Sequence, residues 1–135
     1  MASKLNPYLN FTDGAGAAMQ FYQSVFGGTV DSNSFAEGGM PHDPAEKDKV
    51  MHAQLDTPAG FTLMASDVPA SMGPPAANGS ISLSGDDDAE LRGYWDKLGA
   101  GGQVVMPLEK APWGDSFGML TDRFGVTWMV NISAA

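Results

Sequence analysis

The sequence contains no cysteine, which excludes disulfide bridges, thiolate-bound metals and cysteine nucleophiles together and leaves the redox compartment unmarked. Basic residues are scarce. Seven Lys and Arg stand against 16 Asp and Glu, and a formal charge of -9 repels phosphate backbones and anionic lipid surfaces, so neither nucleic acid nor membrane is expected as a partner. No apolar run approaches a membrane span, and the opening Met1-Ala2-Ser3-Lys4-Leu5-Asn6-Pro7 lacks the apolar stretch of a signal peptide. A cytoplasmic location is the expectation. Also missing are the Gly-x-Ser-x-Gly elbow, the His-Glu-x-x-His zinc motif and a phosphate-binding loop. The run Asp86-Asp87-Asp88 is the one dense group of carboxylates, and it reads as the capped start of a helix, not as a calcium loop.

What is present is a repeat. At 135 residues the chain fits one domain that buries roughly two-thirds of its unfolded surface, enough for a core without staples. Within it, Ala18, Phe21, Tyr22 and Val25 have the i, i+3, i+4, i+7 spacing of an amphipathic helix, and Leu91, Tyr94, Trp95 and Leu98 repeat it at an offset of 73 (91 minus 18). Each helix runs into a glycine pair and a β-prone residue, Gly27-Gly28-Thr29-Val30 and Gly101-Gly102-Gln103-Val104. The second helix has a well-marked start, with Asp87 as cap and Glu90 placed to reach back. The first has only Thr12 or Asp13, and Gly14 and Gly16 in its opening turn each cost about 1 kcal/mol relative to alanine.

A second register is sharper. Leu55 followed by Gly60-Phe61-Thr62-Leu63-Met64 matches Leu120 followed by Gly125-Val126-Thr127-Trp128-Met129 at an offset of 65, and both read as hairpins. The two registers differ by nine (74 for the glycine pairs minus 65), which locates about nine extra residues between Val30 and Leu55, with Glu37 to Pro44 as the expected loop. Each half then reads strand, helix, strand, strand, strand: Lys4 to Phe11, 14 to 26, 29 to 35, 48 to 56 and 60 to 66, then 79 to 84, 87 to 98, 103 to 106, 116 to 121 and 126 to 132. The expectation is an α+β fold of tandem βαβββ modules, about residues 1–67 and 79–135, within one domain and joined by a linker from Val68 to Asn78.

Several segments carry a family resemblance: Pro7-Tyr8-Leu9-Asn10-Phe11, Phe21 to Gly28, Val50-Met51-His52-Ala53, Met64-Ala65-Ser66-Asp67, and above all Trp113 to Asn131. The chain resembles the vicinal oxygen chelate superfamily, which includes glyoxalase I, bleomycin-resistance proteins and extradiol dioxygenases, and within it the PhnB-like branch. That branch has carried a methyltransferase label, yet Gly14-Ala15-Gly16 is followed by Met19 where a nucleotide loop needs a third glycine. The resemblance implies curved sheets forming a cup, helices outside, and pairing of two copies as a homodimer with modules matched either within or between chains.

The resemblance also implies that metal-dependent members place ligands on the first and last strand of each module. Here those positions hold Asn6, Met64, Ser80 and Met129, which supply neither imidazole nor carboxylate, so no metal or other cofactor is expected. Strand alternation gives the rest of the cup. Asn6, Tyr8 and Asn10 lie opposite the apolar set Leu5, Pro7, Leu9 and Phe11; Ser80, Ser82 and Ser84 lie opposite Ile81 and Leu83; His52 and Gln54 lie opposite Met51, Ala53 and Leu55. His52 reads either as a general acid or base or as a structural histidine. Trp113 reads as an aromatic over the cup mouth, with Phe117 inside, or as a packing residue, and Asp115 as a turn residue or a ligand contact. His42 is assigned to solvent, and Trp95 and Trp128 to the core.

A polar, uncharged cup flanked by aromatics and methionines suits a mostly apolar small molecule. Two functions follow: a metal-independent binding or sequestering protein, or a metal-independent enzyme using His52. A metal-dependent lyase or dioxygenase is disfavoured by the residues at the ligand positions.

Overall fold

The computed structural model describes residues 5–39, 42–75 and 77–134. Lys4, the expected start of the first strand, Met40 and Pro41 of the expected loop, and Ala76 of the expected linker lie outside the described residues. The chain divides into two compact units, Met1–Asn78 and Gly79–Ala135.

The first unit contains β1 (Tyr8–Phe11), α1 (Ala15–Phe26), β2 (Thr29–Ser34), α2 (Phe35–Gly38), β3 (Val50–Asp56) and β4 (Thr62–Asp67), with single 3-10 turns at Pro44–Glu46 and Ala70–Met72. Its sheet has the order β1-β4-β3-β2, with β1 parallel to β4 and the other pairs antiparallel. The second unit contains β5 (Ser80–Gly85), α3 (Asp88–Gly99), β6 (Gln103–Lys110), β7 (Ser116–Thr121) and β8 (Thr127–Ile132), in the order β5-β8-β7-β6 with the same pattern of directions. The βαβββ module thus occurs twice, which makes up the expected α+β fold of tandem modules. No helix among the described residues is long and apolar enough to cross a membrane.

The repeat extends to individual hydrogen bonds. In the first hairpin Thr57 N donates to Phe61 O and Gly60 N to Thr57 O, each at 3.0 Å; in the second, Asp122 N donates to Val126 O at 2.9 Å and Gly125 N to Asp122 O at 3.0 Å. The glycine after each helix is equally constrained, because a Cβ on Gly28 would strike the Asp56 carbonyl and one on Gly102 the Thr121 carbonyl. Each sheet buries one face against its helix. In the first unit Leu9, Leu55 and Leu63 of the sheet and Met19 and Tyr22 of α1 are buried, and in the second Leu120, Trp128 and Val130 of the sheet are buried along with Leu91 and Leu98 of α3.

Four local expectations change. The first helix takes no cap from Thr12 or Asp13: its N-cap is Gly14, without a side-chain bond, and the buried Asp67 on β4 accepts from Ala15 N at 2.9 Å instead. Phe35 leaves the strand, because Ser34 accepts from Glu37 N and the Glu37 carboxylate accepts from Ser34 N in a capping box that opens α2 at the end of the expected strand and carries it into the expected loop. Strand β6 runs four residues beyond the expected end at Met106, with register shifts on both sides of Met106 and Pro107 within it, which an edge strand tolerates. Residues from the expected linker bond to the first unit: Val68 N donates to Phe11 O at 2.7 Å, and the Asn78 amide pairs with the backbone of Asn10.

Candidate functional site

In the first unit alternation places Tyr8, Asn10, His52, Gln54, Met64 and Ser66 on the sheet face away from α1. The register sets them in rows. Tyr8 is the neighbour of Met64, Met64 of Gln54 and Gln54 of Asp31, while Asn10 is the neighbour of Ser66 and His52 of Asn33. Tyr8 Oη and His52 Nδ1 are hydrogen-bonded at 3.1 Å, with ring centroids 5.7 Å apart; the hydroxyl donates when Nδ1 is unprotonated and accepts when Nδ1 carries the proton. Gln54 is committed elsewhere, its amide donating to both oxygens of Asp56, which also accepts from Thr62 Oγ1 at 3.0 Å.

Tyr8 also stands at the edge of a cleft of about 220 Å³. Asn10, Ser66 and Asp67 supply its other polar atoms, and Phe35, Met51, Val68, Pro69 and Met72 its apolar wall. The Asp67 carboxylate is not a free charge, since Oδ1 accepts from Ala15 N and Oδ2 from Val50 N, both at 2.9 Å. The lip carrying Met72 is tied down by Glu46, whose Oε2 accepts from Ala70 N and pairs with Lys49 Nζ, each at 3.0 Å. The Ala70 N–H, aided by Lys49, holds the Glu46 carboxyl below its usual range, and the same contact pushes the Lys49 ammonium up.

In the second unit the face away from α3 carries Ser80, Ser82, Thr127, Met129, Met119 and Phe117. Ser82 is the neighbour of Met129 and Ser80 of Thr127. Trp113 is 64% exposed and lies 5.8 Å, centroid to centroid, from Phe117. Asp115 closes the end of this sheet: Oδ2 accepts from Asn131 Nδ2 and Oδ1 from Ala134 N, both at 3.0 Å, and the Ala134 N–H, with Asn131, holds its carboxyl below the usual range. It is a structural clasp. Trp128 is core, its Nε1 donating to Asp122 Oδ2 at 2.9 Å, whereas Trp95 is half-buried, with its ring edge over Gly118.

The register shows what stands beside the two methionines at the expected ligand positions. Tyr8, not Asn6, is the neighbour of Met64, and Ser82, not Ser80, that of Met129; Asn6 lies ahead of β1. Phenol, thioether and hydroxyl groups do not fit a hard divalent ion at either pair, and among the described residues no three His, Asp or Glu side chains gather as a metal set. Sequence reasoning missed the apolar wall of the cleft. Its one legible signal was the Ser34-x-x-Glu37 capping box, which turns Phe35 inward.

A profile of the Glyoxalase/Bleomycin resistance protein/Dioxygenase superfamily matches residues 4–130. Protein YjdN of Escherichia coli (strain K12) is 29% identical over 140 residues, covering 95% of this chain and 94% of the relative. Among solved structures, protein PA1353 from Pseudomonas aeruginosa is 40% identical with a TM-score of 0.83, covering 99% of this chain and 100% of that one. A PhnB protein from Bacillus cereus is 26% identical with a TM-score of 0.75, covering 97% and 100%.

Proposed function

Because the chain belongs to the glyoxalase/bleomycin resistance protein/dioxygenase superfamily, we propose that it binds a small, mostly apolar organic molecule without a metal, at the cleft beside Tyr8 in the first unit. The observation that carries this reading is the pairing of an apolar wall, Phe35, Met51, Val68, Pro69 and Met72, with one hydrogen-bonding edge, the Tyr8 hydroxyl backed by His52. Such a site takes up an apolar body and orients it through a few polar groups, the Tyr8 hydroxyl with Asn10 and Ser66 beside it. Its only carboxylate is already satisfied by two backbone N–H groups, so a neutral ligand fits better than an ion.

The test is ligand-induced thermal stabilisation across a library of neutral aromatic and cationic compounds. A hit whose shift is lost in Phe35→Ala and reduced in Tyr8→Phe supports the site; a library without hits, or hits indifferent to both substitutions, refutes it. A second reading is favoured by the Tyr8–His52 bond alone: His52 as acid or base on a bound carbonyl or aromatic substrate. Turnover of a hit compound that disappears in His52→Asn while binding remains would establish catalysis over sequestration.

A further inference from the structure

Carboxylates and imidazoles do not assemble into a metal set among the described residues, but three methionines line up across one sheet. In the second unit three adjacent strands each present a methionine in one cross-strand row: Met129 on β8 is the neighbour of Met119 on β7, and Met119 of Met106 on β6. Cross-strand neighbours share a sheet face, here the one turned away from α3, and adjacent strands lie about 4.8 Å apart. The outer two methionines are therefore each one strand spacing from Met119. Thioether arms on three rotatable bonds bridge that gap readily.

None of the three is core. Met106 is 51% exposed and Met119 and Met129 are half-buried, in contrast to Met19, which is wholly buried against its sheet. Leucine would pack an open sheet face equally well, so what the sulfurs add is polarisability and soft donor character. The register shifts on both sides of Met106 leave that strand irregular where the third sulfur is presented. One row along the same face, Phe117 and Trp113 stand together, and aromatic faces stabilise a nearby cation. The chain's charge of -9 favours cations in general.

We propose that Met106, Met119 and Met129 form a binding site for a soft monovalent cation of the copper(I) or silver(I) class. Neutral thioethers select such ions over zinc, magnesium or calcium, which need harder or charged donors. The site lies on the second unit and does not depend on the ligand assigned to the first.

The experiment titrates the full chain with silver(I) nitrate in chloride-free buffer and follows methionine methyl resonances by NMR. The expected result is that the methyls of Met106, Met119 and Met129 shift together and saturate at one ion per chain, while Met64 and the exposed Met72 stay in place. Met119→Leu, which conserves volume, lowers the affinity by about tenfold or more. Shifts spread evenly over all exposed methionines, no saturation, or unchanged affinity in Met119→Leu would each overturn the proposal. If Met119→Leu gives the spectrum of an unfolded chain, saturation in the unaltered protein and its loss in Met129→Leu decide.

Discussion

Asp122 offers the most exacting check on how the second unit is held. It is 3% exposed; Oδ1 accepts from Phe124 N at 2.8 Å and Val126 N at 3.1 Å, and Oδ2 accepts from Trp128 Nε1 at 2.9 Å. In Asp122→Asn the amide oxygen can keep the two backbone N–H groups, but its NH2 then faces the indole N–H, donor against donor in a buried place. One lost bond to a charged group plus an unsatisfied buried donor costs about 2–4 kcal/mol. Trp128→Phe removes the opposing donor while keeping an aromatic ring, at a separate packing cost of about 1–2 kcal/mol. The double variant should therefore be more stable than the sum of the single effects implies, by about 1.5–3 kcal/mol. Urea denaturation of all four proteins followed by far-ultraviolet circular dichroism measures this, since that signal does not depend on the tryptophan being changed. Additive effects within about 0.5 kcal/mol would mean that the carboxylate serves the turn alone and that the indole bond contributes nothing.

Asp67→Ala should destabilise the first unit by about 2–4 kcal/mol and speed amide exchange at Ala15 and Val50, whose N–H groups it accepts. Asp115, whose folded-state carboxyl is held low by Ala134 and Asn131, stabilises above the carboxyl's unfolded pKa, and that contribution is lost as pH falls through the lower folded value. Asp115→Asn should accordingly flatten the acid limb of a stability-against-pH curve and leave its neutral-to-alkaline shape alone. Gly93→Ala, with open space around its Cβ in the middle of α3, should raise stability by about 0.5–1 kcal/mol, while Gly102→Ala should lower it by more than that because the Thr121 carbonyl cannot move away; thermal melts of the two variants separate the cases.

The duplicated architecture was legible because it was written in spacings that packing enforces. Helical periodicity, the glycine pairs and the two hairpin turns recur at fixed offsets, and each corresponds to an interaction that tolerates little variation: a buried helix face, a Cβ-free approach to a carbonyl, a four-residue turn. Strand alternation likewise put His52 and Tyr8 on one face, where they bond. Alternation says nothing about register between strands, so the pairing of Met64 with Tyr8 had to come from coordinates. Nor does local sequence show a cap delivered from elsewhere in the chain: Asp67 serves α1 across 52 positions, and no nearby residue advertises it.

The divergence of the two halves explains where the candidate site lies. Carrying the hairpin offset of 65 onto the strand faces sets His52 against Phe117, Ser66 against Asn131 and Asp67 against Ile132. An apolar Ile132 suffices in the second half because Asp87 caps α3 locally, its Oδ1 accepting from Glu90 N at 3.0 Å, whereas α1 begins at Gly14 and borrows its acceptor from the sheet. That borrowed carboxylate lines the cleft floor. The extra residues between Val30 and Leu55, visible first as a mismatch of nine between two offsets, fold into α2 and the Pro44–Glu46 turn. They contribute Phe35 to the cleft wall and Glu46 to the lip that holds Met72. The second unit has neither insertion nor borrowed acid. The apolar hollow with a polar edge therefore depends on two features that the second module lacks, the insertion and the borrowed acid, while the second module's open face carries a row of methionines instead.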